Sequence, residues 1–265
     1  MGKQKLDQAF QTVLARGDKA FVPYIMAGDG GLDILEDRLR FLEESGATVV
    51  ELGIPFSDPV ADGPTIQAAG LRALQNGVSL RAVLAKLKEG AADRTLPIVL
   101  MTYINPIYAY GVDAFADDCK AAGVDGIIIP DLPMEEEPLV SDALSTSGIA
   151  LIRLAALTSP KERLVELAKR TEGFLYAVTV TGTTGARATF KENLGVHLRD
   201  LKEICPVPVL AGFGVSTPEH VRALTENCDG VVVGSRIVDL LHQGDEATIR
   251  ELIQSAKLTT EKAGL

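Results

Sequence analysis

The chain has 265 residues, 46% of them hydrophobic and 23% charged, with a formal net charge of -10. That length and composition allow one large core or two small ones, and no apolar run approaches the ~20 residues that span a bilayer. The acidic balance argues against nucleic acid or anionic membrane as a partner, since both are held by clustered Lys and Arg.

The N-terminus, MGKQKLDQAFQTVLARGDKAF, is charged and amphipathic and lacks the apolar stretch and cleavage site of a secretory signal, so a soluble, cytoplasmic chain is expected. Within it, Leu6 to Arg16 reads as a helix that would lie across the bottom of whatever follows. Then come short apolar, β-branched runs: 21–28, 48–56, 97–104, 126–133, 149–156, 173–180, 208–215 and 230–235. Amphipathic helical patterns separate them at Leu32 to Glu44, Thr65 to Leu74, Val112 to Ala122, Glu135 to Leu144, Pro160 to Lys169, Leu194 to Ile204 and Pro218 to Glu226. An additional helix fits Leu80 to Lys88, between the second and third runs. Ser159-Pro160 and Thr217-Pro218 are helix-start signals. Eight strand-helix units with no linker predict a single domain over 1–265, a (β/α)8 TIM barrel in the α/β class, carrying an extra N-terminal helix and the extra helix after strand two. An open doubly wound sheet would also alternate strand and helix. The first turn, Ala27 to Gly31, lacks the G-x-G-x-x-G spacing of that class.

Reacting groups of such a barrel sit where strands end. Those ends carry Asp29, Glu51, Asp58, Asp62, Tyr103, Asn105, Asp131, Tyr176, Thr179, the run Thr181 to Gly185, Gly212 to Gly214, and Gly234-Ser235. No lysine ends a strand, which argues against Schiff-base chemistry. His197, His220 and His242 fall in helical stretches, so proton transfer is left to carboxylates. No metal or cofactor is expected. Cys119, Cys205 and Cys228 are widely spaced and read as reduced packing residues.

In ELGIPFSDPVADGPTIQ, residues 51–67, Glu51 ends a buried strand and Asp62 lies on the following turn. A buried unpaired carboxylate has its pKa raised toward neutrality, which suits acid/base catalysis. The plainer alternatives are an ion pair for Glu51, with Arg153 as the strand-borne partner, and a helix-capping role for Asp62. Asp131 reads as a turn former, and Tyr176 taken alone as core. After the last two strands, AGFGV and VGSR place glycines ahead of helix starts, the arrangement that binds phosphate through backbone N–H groups.

These motifs, with MTYINPIYAYG, GVDGIIIPDLP, TGTTGAR, AGFGVS and VVVGSRIV in the same order, resemble the tryptophan synthase alpha subunit family from about Phe21 to the last helix. The resemblance implies a cofactor-free lyase of tryptophan biosynthesis that cleaves indole-3-glycerol phosphate to indole and glyceraldehyde 3-phosphate. It also implies an alpha2-beta2 heterotetramer with a pyridoxal-phosphate-dependent beta subunit, whose contact surface would include Asp58, Pro59 and Asn105. Glu51 and Asp62 fall on the family's catalytic acids. The implied substrate contacts are Tyr24, Met101, Tyr103, Ile128, Leu154, Tyr176, Thr184, Gly185, Phe213, Gly214, Gly234 and Ser235. Loops 57–62 and 181–188 would close over the substrate. Gly30-Gly31, Val180-Thr181 and Ala155-Ala156-Leu157 depart from the common family pattern. A different phosphate-binding barrel, a stand-alone indole-releasing lyase, and a non-catalytic regulatory barrel are the competing functions.

Overall fold

A computed structural model describes residues 2–156, 158–178, 187–212 and 214–258, without the side chains of 187–193. Eight parallel strands close into a barrel in sequence order: β1 Ala20–Met26, β2 Val50–Gly53, β3 Ile98–Met101, β4 Gly126–Ile128, β5 Ala150–Ala156, β6 Leu175–Val178, β7 Val209–Gly212 and β8 Gly230–Val233. The closing pair is parallel, with Phe21 beside Val231 and Pro23 beside Val233. All eight expected runs form strands. Seven of them are buried throughout or nearly so, which is why they read as continuous apolar runs rather than alternating ones.

The surrounding α-helices among the described residues are α1 Gly2–Ala15, α2 Leu35–Ser45, α3 Pro64–Gln75, α4 Leu80–Glu89, α5 Ile104–Tyr110, α6 Val112–Ala121, α7 Ser141–Ser147, α8 Lys161–Arg170, α9 Arg187–Ile204, α10 Pro218–Thr225, α11 Ser235–Gln243 and α12 Glu246–Gln254. Helix α10 begins as its sequence predicts, with the Thr217 side chain accepting the His220 N–H at 3.3 Å and Pro218 in the first turn. Ser159 plays no such part. Pro160 is the residue ahead of α8, and no side chain caps it.

Two expectations about helices need correction. The stretch Glu135 to Leu144 is not one helix: a 3-10 turn, Met134–Leu139, contains Pro138, and α7 starts only at Ser141. Proline lacks the N–H that would continue an α-helical ladder, so the chain breaks there. Helix α5 is an addition to the expected elements, which covered only its first residue, Ile104, as the end of the run 97–104. Its proline, Pro106, lies in the first turn, where a missing N–H costs nothing, and the Ile104 N–H is accepted by Asp131 Oδ1 at 3.0 Å. Asp131 thus ties the start of α5 to the turn after β4.

Helix α1 closes the N-terminal mouth. Leu6 and Phe10 are fully buried among the strand residues Val22, Val99 and Ile152, with Val49 just ahead of β2, and the Phe10 ring lies 5.5 Å from that of Phe174. Each contributes roughly 1.5–3 kcal/mol of burial. After β1, Gly30 has φ +89, a left-handed backbone that glycine adopts and that proline, with φ fixed near -65°, does not fit. No helix among the described residues is long and apolar enough to cross a membrane.

Candidate active site

Glu51 is the second residue of the four in β2 rather than its last, beside Tyr24 of β1 and Val99 of β3, and only 1% of it is exposed. Its Oε2 has no hydrogen-bond partner among the described residues. Burial, and then the Asp62 charge, raise its pKa to about 8. The carboxyl is therefore mostly protonated at neutral pH. Arg153 does not relieve it: on β5 that side chain faces away from the barrel axis and holds Glu137 in a two-pronged ion pair, Nε to Oε1 at 2.6 Å and Nη2 to Oε2 at 2.7 Å.

Asp62 is held on the 54–63 loop. The residue ahead of α3 is Gly63, followed by Pro64, and no side chain caps the helix, so Asp62 is not spent as a cap. Tyr103, between β3 and α5, anchors this loop. Its hydroxyl accepts the Ala61 N–H at 3.0 Å, and its ring packs against Phe56 at 5.4 Å. Burial raises the Asp62 pKa, and hydrogen bonding with Tyr103 opposes that rise.

Both acids line a cavity of about 380 Å³ at the C-terminal mouth, together with Tyr24, Met101, Tyr176, Gly214, Gly234 and Ser235. That volume suits one small ligand. Two glycines make room for its aromatic wall: a Cβ at Gly53 would overlap the Tyr24 hydroxyl, and one at Gly212 would overlap the Tyr176 ring. Helix α11 starts at the cavity, so the free N–H groups of its first turn lie at the wall.

The other expected contacts are distributed differently. Ile128 is buried in the barrel interior with Val99 and Ile152, outside the lining. Leu154, also packed against that interior, borders a separate cavity of about 440 Å³ between β5, α8 and the 3-10 turn. Tyr103 acts on the loop rather than in the wall. Thr179, Thr184, Gly185, Phe213 and the 181–186 part of the glycine-rich loop lie outside the described residues. Sequence reasoning missed Ile66, Ser216, Arg236 and Asp239, all of which line the cavity. Arg236 was findable, because it follows Ser235 in a helix start at a strand end.

Fold and cavity together define a (β/α)8 barrel with an acid-lined C-terminal mouth, built for chemistry on a small molecule. The profile of the family described as tryptophan synthase alpha chain matches residues 10–264. A tryptophan synthase alpha chain of Oceanobacillus iheyensis is 58% identical over 97% of this chain and 98% of its own length, and one of Bacillus cereus is 51% identical over 98% and 100%. The crystal structure of tryptophan synthase subunit alpha from Legionella pneumophila superposes with a TM-score of 0.86 at 33% identity, covering 95% of this chain and 98% of that one. The chain belongs to the tryptophan synthase alpha chain family.

Proposed function

We propose that Glu51 and Asp62 carry out the retro-aldol cleavage of indole-3-glycerol phosphate. The family makes this chain a carbon-carbon lyase of tryptophan biosynthesis that pairs with a beta subunit. The residue assignment, the alpha2-beta2 stoichiometry, a single catalytic domain and a cytoplasmic location are our own reading.

The carrying observation is a buried carboxyl, one oxygen of which has no partner among the described residues and whose pKa is raised to about 8, in the same cavity wall as a second acid. Glu51, protonated, gives its proton to indole carbon 3. The ring then carries positive charge on nitrogen, and Asp62 stabilises it by accepting the N–H. The Glu51 carboxylate next takes the proton of the adjacent side-chain hydroxyl. The carbon-carbon bond breaks, its electron pair restores the aromatic ring, and the hydroxyl carbon becomes the aldehyde of glyceraldehyde 3-phosphate. Glu51 ends as it began, protonated.

Tyr24, Met101 and Tyr176 give the flat ring an apolar wall. Gly214, Gly234 and Ser235 offer amides, and Ser235 a hydroxyl, to the phosphate. Thr184, Gly185 and Phe213 complete the proposed contact set, with Tyr103 acting through its hold on the Asp62 loop. The loop residues Asp58 and Pro59, with Asn105 at the start of α5, are the proposed face toward the beta subunit.

The test is indole release from indole-3-glycerol phosphate by the wild type and by Glu51→Gln, with and without a beta subunit. The variant is expected to lose at least about 10³-fold in kcat while retaining phosphate-ligand binding, since amide replaces acid at constant shape. Equal turnover in both proteins would remove Glu51 from the mechanism.

A further inference from the structure

Charge in the cavity wall is unbalanced. Besides the protonated Glu51, two further acids line it, Asp62 and Asp239, against one cationic side chain, that of Arg236. A phosphate monoester adds up to two more negative charges near neutral pH. Helix amides supply only partial positive charge, about half a unit at an α-helix start. An anion seated among carboxylates in a partly dehydrated site is favoured by a full opposite charge nearby.

Arg236 is free to serve. It is the second residue of α11, and its Nε is buried without a hydrogen-bond partner. Among the described residues it makes no ion pair and no side-chain hydrogen bond. The other arginines near this end of the barrel are committed: Arg72 grips Asp29 with two bonds of 2.7 Å, and Arg153 grips Glu137. The acids around Arg236 have calls on them elsewhere. Asp239 feels the charge of Arg72, and Asp245 caps α12 by accepting the Thr248 N–H at 3.1 Å and hydroxyl at 2.7 Å. Asp245 also feels the charge of Arg236, so a purely structural role for the guanidinium, holding the α11–α12 corner, is the alternative to be separated.

We infer that Arg236 is a substrate-binding residue whose guanidinium engages the phosphate beside the amides of α11 and so selects phosphorylated over unphosphorylated indole-glycerol substrates. This rests on the reading of the cavity as the indole-3-glycerol phosphate site. Guanidinium matches phosphate with two parallel donors, which an ammonium does not reproduce. Its contribution is the same in ground and transition states, because the phosphate is remote from the bond that breaks, so it appears in KM.

The experiment compares wild type, Arg236→Ala and Arg236→Lys on indole-3-glycerol phosphate and on its dephosphorylated analogue, with inorganic phosphate as competitive inhibitor and thermal unfolding of each free protein. For Arg236→Ala, KM for the phosphorylated substrate is expected to rise about 10- to 100-fold with kcat within about threefold. Its preference for the phosphorylated over the dephosphorylated substrate, as a ratio of kcat/KM, falls by the same factor, and inhibition by inorganic phosphate weakens in parallel. Arg236→Lys recovers part of the loss. Unchanged KM and phosphate inhibition, or an equal loss on both substrates, would overturn the inference. So would a lowered unfolding temperature with phosphate inhibition intact, which is the corner-holding outcome. Failure of the wild type to cleave the phosphorylated substrate would instead strike the reading of the reaction.

Discussion

The two mouths of the barrel each bury a carboxylate, and they treat it in opposite ways. At the N-terminal mouth Asp125, 3% exposed, accepts the Ile98 N–H at 2.9 Å and has Lys5 of α1 at 3.5 Å. At the C-terminal mouth Glu51, still more deeply buried, has an oxygen with no partner. Desolvation raises both pKa values, but only Asp125 has a cation and an amide pulling the other way. One carboxylate stitches helix α1 to the barrel. The other is held in a destabilised setting, as a proton donor for neutral pH must be. The same eight strands make both ends, so the division of labour lies in what the flanking segments add: apolar side chains and a lysine below, a polar loop with a second acid above.

The largest test of that division is Phe10→Ala. Removing a ring packed at 5.5 Å from Phe174 in the sealed mouth is expected to cost about 3–5 kcal/mol of stability. Below the new Tm, kcat/KM should stay within about twofold, because nothing at the acid-lined mouth changes. A turnover loss in proportion to the stability loss would show that the two ends are not separable.

Swapping the two carboxylates sharpens the contrast. Glu51 has its folded pKa raised to about 8 from the ordinary 4.5, so the folded state holds a proton that the unfolded chain has lost between those pH values. Stability from this group is therefore full below about pH 4.5 and falls as pH rises through 8. Glu51→Gln removes that dependence. It should be more stable than wild type above pH 8, by on the order of a few kcal/mol, with the difference shrinking toward pH 4.5. Asp125→Ala should do the reverse at pH 7, losing about 1–3 kcal/mol by stranding the Ile98 N–H and removing the carboxylate beside Lys5. Urea unfolding across pH reads both, and a Glu51→Gln protein less stable than wild type at pH 9 would contradict the unpaired, buried setting.

Much of this was legible in the sequence because parallel barrel strands are buried on both faces and announce themselves as apolar runs. Glu51 stood out as an acid interrupting such a run, and Asp62 as an acid in a proline- and glycine-marked turn. What could not be read was facing. Arg153 and Glu51 both sit on strands, yet their partners depend on which way each strand's alternation is phased. The register that sets Leu154 beside Tyr176 sends Arg153 outward to Glu137. The family resemblance implies Ile128 and Leu154 as substrate contacts, and depth along the barrel, which sequence does not carry, separates them from the cavity. Helix α5 was hidden for a related reason: its start is secured by Asp131, 27 residues away in the chain.

The smallest effect lies at the joint between scaffold and chemistry. Tyr103 lies between β3 and α5, immediately ahead of the helix, and holds the Asp62 loop through the Ala61 N–H at 3.0 Å. Tyr103→Phe keeps the ring against Phe56 and deletes only the hydroxyl, a loss of about 1 kcal/mol in loop anchoring. Asp62 also loses the hydrogen bond that holds its pKa down, so that pKa rises further. If ionised Asp62 accepts the indole N–H, the acid limb of the kcat/KM profile must move to higher pH in the variant, with a drop of about fivefold at pH 7. A limb that moves to lower pH, or does not move, would mean that Asp62 is not the group titrating there. The loop would then have been anchored by Tyr103 for a different purpose, such as presenting the exposed Val60, 83% accessible, to the beta subunit.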